Sequence, residues 1–199
     1  MGFTEGRGLT ARTTDISWPS AVARPNRLCT SRLPRVQDVL WLLVLGLALR
    51  APAVPRDVLR AAQSFAPDFA PCTDVVAAVV KEAEASGAID RDDGLLVLTD
   101  HGRCCLVRLM TAALPTLRGG LGRTEARVRL GLLDLLAEDV RAEALDRLCD
   151  AARADMAEAV GRLEAPWAGH FGRFWEAGDL TDAAAALDRL RQMRTQGEA

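Results

Sequence analysis

Apolar side chains recur along this chain in several rhythms, and each rhythm specifies a different element. From Val36 to Leu49 nearly every side is apolar, the mark of a helix at the centre of a core. After a turn at Ala51 to Pro55, the residues Val58, Leu59, Ala62 and Phe65 fall three and four apart and predict an amphipathic second helix, with Pro67 and Pro71 bounding the next loop. Cys72 to Ser86 reads as a third helix, with Thr73 or Asp74 as its cap and Gly87 as its stop, because glycine takes the left-handed conformation that closes a helix. Asp93-Gly94 between apolar residues signals a tight hairpin whose second strand is Leu95 to Leu98. Thr99 or Asp100 then caps a helix running to about Leu114. Helix, hairpin and helix in that order predict the second half of a winged helix-turn-helix.

Pro115 through Gly122 interrupts the pattern and is the predicted domain boundary. A long helical stretch follows, in which Leu145, Leu148, Ala152, Met156, Val160 and Leu163 form one stripe three or four residues apart. Such a stripe must pack on something, and a homodimer seam built from Leu145, Leu148, Met156, Val160 and Leu163 is expected. Pro166 ends it, Gly169 and Gly178 punctuate an aromatic-rich link, and Asp179 to Arg194 predicts a last helix capped by Asp179 or Thr181. Residues 1–34 mix Gly, Thr, Ser, Pro and Arg without periodicity. The expected organisation is a disordered arm (1–35), a winged helix-turn-helix domain (36–115) and a C-terminal helical dimerisation domain (123–195). Val36 is an alternative place for translation to begin. No repeat at a fixed period is present.

With 199 residues and 49% hydrophobic content the chain can bury a core. Abundant Ala and Leu and the absence of Tyr favour a mostly α fold with only a small sheet. The net charge of −2 carries no signature of nucleic-acid binding, but its distribution is uneven. Residues 1–35 carry six Arg against Glu5 and Asp15, whereas Cys72 to His101 holds seven carboxylates against Lys81 and Arg91. Phosphate contacts need surface cations. Candidate DNA contacts are therefore Arg56, Arg60, Lys81, Arg103, Arg108 and the arm, with Thr73 a minor donor. A degenerate winged helix that binds a protein partner or a ligand instead of DNA is the competing reading.

His101, Cys104 and Cys105 stand at i, i+3 and i+4 and could face one metal, but a fourth ligand is lacking and buried helix cysteines are commoner, so no metal or cofactor is expected. The five cysteines form no CxxC pair, which fits a reducing cytoplasm. Val39 to Leu49 with Ala51-Pro52-Ala53 superficially resembles a signal peptide, yet the long leader and Asp38 argue against it. The same apolar run is too short for a bilayer, which needs about 20 residues, so no membrane role is expected. Trp167, His170, Phe171, Phe174 and Trp175 are dense for a chain with 5% aromatics. They predict a packed cluster or dimer seam, or else, with Trp41, a pocket for a small aromatic effector in which His170 is the polar handle. No GxSxG, phosphate loop or HExxH is present, and no catalytic residue or enzyme activity is expected.

An apolar first helix, the segment GAIDRDDGLLVLTDHGR (Gly87 to Arg103), a linker and a helical tail closing with FWEAGDLTDAAAALDRLRQM (Phe174 to Met193) together resemble the PadR-like transcriptional regulators over roughly residues 36–195. The best local match is the Leu-Thr-x-x-Gly-Arg element, Leu98 to Arg103, which other winged-helix families share. The resemblance implies a homodimeric repressor of double-stranded operator DNA. In that family the tail makes the dimer, the recognition helices and wings bind DNA, and some members sense small aromatic molecules. Members usually carry a Tyr in the recognition helix with basic residues around it, whereas this chain has Val75-Val76-Ala77-Ala78 there.

Overall fold

The computed structural model describes residues 36–65, 71–166 and 169–197. Helix α1 (Val36–Arg50) is the axis of the first core: Val39, Leu40, Leu42, Leu43, Val44 and Leu45 are all at most 1% exposed. A helix apolar all round must be surrounded, and α2 (Pro55–Phe65), α3 (Thr73–Ala85), α4 (Asp100–Thr111) and α5 (Gly119–Leu132) all pack against it. Gly46 lets α5 come close, because a Cβ there would lie 2.4 Å from Leu132 Cδ2. The wing is an antiparallel pair, β1 (Ile89–Asp92) and β2 (Leu95–Leu98), in the register Ile89↔Leu98 and Asp92↔Leu95. The link from α1 to α2 adds one bridge to it, Leu96 N donating to Ala53 O at 2.7 Å.

The turns that shape the wing follow the local sequence. Asp93 (φ 47°) and Gly94 (φ 80°) both take positive φ, the conformation that a two-residue hairpin turn requires. Gly87 (φ 74°) ends α3: its N–H donates to Glu84 O, and Ala88 N donates to Ala83 O, a Schellman closure. At the other end the expected cap is corrected. Cys72 occupies the N-cap without a side-chain bond, and Thr73 and Asp74 lie inside the first turn. For α4 the cap is Thr99, whose Oγ1 accepts from Gly102 N at 3.0 Å and donates to Gly87 O at 2.6 Å. Gly102 seats the helix start on the α3–β1 turn, since a Cβ there would lie 1.9 Å from Ala88 O. The Leu98 to Arg103 element is thus a joint that sets wing against helix.

Helix α4 ends at Thr111, short of Leu114, and the long helical stretch is two helices parted by a 3-10 turn (Leu133–Leu135), α5 and α6 (Glu138–Leu163). Gly131 stands one residue before the end of α5, and Leu132 and Leu136, both buried in the first core, turn the chain there. Helix α7 is continuous from His170 to Gly197, so neither a break at Gly178 nor a new cap at Asp179 or Thr181 exists. Thr181 Oγ1 instead donates back to Ala177 O, and an interior glycine costs only about 1 kcal/mol, too little to end a well-packed helix. Helices α6 and α7 form an antiparallel hairpin, with Arg162 bonded to Glu176 at one end and Arg194 to Asp146 at the other. Leu145, Leu148, Cys149, Ala151, Ala152, Leu187 and Leu190 make a second core there, with Leu114 and Ala126. Among the described residues no helix is long and apolar enough to cross a membrane.

Candidate nucleic-acid interface

Helix α3 occupies the recognition position. Val76, Val79, Val80 and Ala83 anchor its inner face in the first core, while Asp74, Val75, Ala78, Lys81 and Glu82 are exposed on the outer one. This outer face is short-armed and acidic. Val75 is 40% exposed, and Lys81 is the only long donor on the helix. On the wing, Arg91 is turned inward against Glu84, with Nε donating at 2.7 Å and the second guanidinium nitrogen at 2.6 Å, so the wing's one cation is spent on a carboxylate of α3. Asp92 and Asp93 remain exposed beside it.

The other sequence-nominated cations divide into engaged and available groups. Arg103 is largely covered and pairs with Asp100 at 3.6 Å. Arg60 is exposed and pairs loosely with Asp57 at 3.8 Å, a contact worth little in water. Arg56, Lys81 and Arg108 are exposed and, among the described residues, make no ion pair. Thr73 is exposed at the start of α3. The Arg-bearing arm lies outside the described residues, but its exit does not: Gln37 Nε2 donates to Glu82 Oε2 at 2.7 Å, so the chain enters α1 beside the outer face of α3.

The candidate metal trio is only partly assembled. His101 Nε2 lies 3.6 Å from Cys105 Sγ, whereas Cys104 is exposed on a different face, as the roughly 100° step between consecutive helical residues requires. Burial pushes the Cys105 thiol up, against the pull of Arg108. A group of that kind packs as a small hydrophobe.

Residues nominated for the dimer seam and the ligand pocket separate. Leu145 (3% exposed) and Leu148 (0%) are consumed inside the α6–α7 hairpin, Met156 packs at its edge, Leu163 is half-buried and Val160 faces solvent. The stripe therefore has its partner within the same chain as far as Met156. Trp41 packs against the first core, while Phe171, Phe174 and Trp175 are 86%, 79% and 73% exposed on α7. His170 meets the edge of Phe171, ring centroids 5.5 Å apart, and Trp167 lies outside the described residues. Among the described residues Phe171, Phe174 and Trp175 form an open face on α7.

Three buried charged residues look like surface residues in the sequence. Glu125 and Arg129 look like a surface i,i+4 pair but are 4% and 2% exposed. The Arg129 guanidinium bonds Glu125 at 2.5 Å and donates to Met110 O at 3.2 Å and Ala112 O at 2.6 Å, capping the end of α4 from α5. Burial pushes the Glu125 carboxyl above its ordinary range although Arg129 pulls it down. Asp155, 2% exposed, accepts from Thr116 Oγ1 at 2.5 Å and Leu117 N at 2.8 Å, and so ties the α4–α5 link to α6. Arg and Asp on an amphipathic helix ordinarily face water, and only the tertiary contact distinguishes these.

The architecture defines a winged helix-turn-helix protein with a helical C-terminal hairpin. No protein-family model and no curated protein matches the chain. Among solved structures it is similar to Bacillus subtilis PadR, at 14% identity and a TM-score of 0.37, over 85% of this chain and 99% of that one. The transcriptional regulator PadR from Bacillus subtilis in space group H32 gives 15% identity and a TM-score of 0.37 over 80% and 99% of the two chains. Bacillus subtilis PadR in complex with p-coumaric acid gives 14% and 0.37 over 83% and 98%. Backbones this far apart transfer no residue's role, so the site rests on its own geometry.

Proposed function

We propose that this chain is a homodimeric, DNA-binding transcriptional repressor of the PadR-like type, acting in the cytoplasm. The observation that carries the reading is α3: a helix anchored along Val76, Val79, Val80 and Ala83, set between a turn and a wing, with its opposite face open to solvent. That is the presentation a major-groove helix needs. The cations on offer for phosphate are Arg56, Lys81, Arg108, the loosely paired Arg60 and the arm's arginines. Residues 36–115 are read as the DNA-binding unit and 123–195 as the dimerisation unit. Helix α5 braces the two, giving Val128 and Leu132 to the first core and Ala126 to the second. The seam is assigned to the exposed aromatic face of α7 with Val160. A cavity for a small aromatic effector at this place would need the second chain to close it.

A second reading is favoured by one specific observation, the sign of the interface. With Arg91 held by Glu84 and Arg103 by Asp100, the α3–wing face is left acidic, and such a face repels a duplex. On that reading the fold binds a protein or ligand instead. Fluorescence anisotropy of the full chain on the gene's own upstream DNA separates the two. The repressor reading expects saturable binding at low salt that weakens steeply with salt, by a log–log slope of about −0.9 for each phosphate contact. No saturable binding from a folded dimer at low salt would sink it.

A further inference from the structure

We propose that the outer face of α3 and the wing are the docking surface for this chain's own N-terminal arm, which binds there in cis through its arginines. Among the described residues the face is open to solvent apart from the bond that Glu82 accepts from Gln37. Val75, Ala78, Glu82 and Ala85 lie along one exposed line of α3, with Asp74 and Asp92 and Asp93 of the wing open to solvent. The segment from Cys72 to His101 sums to −5, and residues 1–35 sum to +4, so arm and face are near-complementary in number as well as in sign.

Connectivity selects the arm over other cationic partners. The hydrogen bond from Gln37 to Glu82 holds the start of α1 against the last turns of α3, so the chain before Val36 begins next to the acidic face. From Glu82 to Cys72 the helix runs about 15 Å at 1.5 Å per residue. Eight residues of extended chain, from Gln37 back to Cys29, reach about 26 Å. Arg35, Arg32, Arg27 and Arg24 can therefore be spread along the full length of α3 and onto the wing. Exposed ion pairs are individually weak and screened within about 8 Å at physiological salt. A tether this short supplies an effective concentration of about millimolar, which makes several such pairs sufficient and the contact strongly salt-dependent. The inference does not rest on DNA binding. A docked arm would hold α3 away from other partners, or offer its spare arginines to phosphate.

The chain carries its own reporters: Cys29 in the arm, and Cys72, exposed at the N-cap of α3. In a full-length Cys104→Ser background, which removes the other exposed thiol, a short bismaleimide should give an intrachain Cys29–Cys72 link at low salt, identified by peptide mass. Its yield should fall several-fold at high salt, and equally in a variant with Asp74→Asn, Glu82→Gln, Asp92→Asn and Asp93→Asn. Because that variant alters the folded face, a second one reverses the arm instead, with Arg24→Glu, Arg27→Glu, Arg32→Glu and Arg35→Glu, and the same loss is expected. A yield unchanged by salt and by both variants would show tethering without docking. That result, no cross-link at all, or a link only between two chains would each overturn the proposal.

Discussion

Around α1 the buried side chains are large: Leu40, Leu42, Leu43, Leu45, Leu106 and Met110 are all at most 1% exposed. Between α6 and α7 the deeply buried positions include Ala151, Ala152, Ala159 and Ala183, while the biggest side chains of α7 point outward. Burying a Leu or Phe contributes about 1.5–3 kcal/mol, and burying an alanine much less. The winged half thus spends its apolar residues on itself. The hairpin achieves close helix contact through small residues, is laced by ion pairs such as Arg162–Glu176, and leaves Phe171, Phe174 and Trp175 exposed. One half closes its large apolar side chains into its own core, and the other keeps three aromatic ones in solvent. The roles proposed for the two halves rest on this contrast: presentation of a helix on one side, assembly on the other.

The largest effect should come from the joint that binds the first half to α5. Arg129→Met would leave Glu125 buried without its partner and strip donors from the Met110 and Ala112 carbonyls. Removing one partner of a buried pair costs about 3–5 kcal/mol, and urea denaturation should show a loss of that order. Adding Glu125→Met should restore most of it; a double variant as unstable as the single one would mean that packing, not the orphaned charge, is responsible. The pH dependence has a defined sign. Because the folded Glu125 carboxyl is raised above its ordinary 4.5, the native state holds a proton that the unfolded state releases. Its contribution to stability is therefore most favourable below the window and is lost as pH rises from about 4.5 through the raised value. Glu125→Gln should flatten that slope, so the variant gains on the wild type toward neutral pH.

A smaller loss is expected at the wing. Gly102→Ala places a methyl against the Ala88 carbonyl and 2.6 Å from Leu98 Cδ1, and backbone cannot yield as a side chain can. Overpacking of this kind costs about 1–3 kcal/mol. Gly120→Ala, also in the first turn of a helix but with nothing within 4 Å, should be neutral or stabilising by about 0.4–1 kcal/mol. Equal melting temperatures for the two variants would show that Gly102 does not fix the joint.

The two halves were also unequally legible. The winged half announces itself because its signals are local: an all-apolar helix, Gly87 as a stop, Asp93-Gly94 as a turn and a cap at Thr99 or Asp100, which the structure places at Thr99. The hairpin depends on what lies across from each helix. Its 3.6-residue stripe is real, but period alone cannot say whether the facing surface belongs to the same chain, and for Leu145 and Leu148 it does. The charge pattern misled in the same way. Glu125, Arg129 and Asp155 sit at positions indistinguishable from surface residues until α4 and the α4–α5 link are laid over them. Of the interface, the acidic sign was readable from composition, but the withdrawal of Arg91 and Arg103 into ion pairs was not.

The mildest change to the folded chain should have the sharpest effect on assembly. Phe174→Ser with Trp175→Ser removes two side chains that the single chain exposes at 79% and 73%, so the monomer loses almost no burial. Exposed substitutions away from special features shift stability by about 0.5 kcal/mol or less. If α7 forms the seam, the same variant loses the aromatic anchors that dominate interface energetics, and light scattering at micromolar concentration should report a folded monomer where the wild type is a dimer. Leu148→Asp is the control from inside the hairpin. A buried carboxylate without a partner attacks the fold itself, so this variant should melt early rather than dissociate cleanly. A Phe174→Ser/Trp175→Ser chain that remains dimeric would place the seam elsewhere, and one that melts like Leu148→Asp would mean the aromatics are structural. A folded, soluble monomer is the outcome that the contrast between the two cores requires.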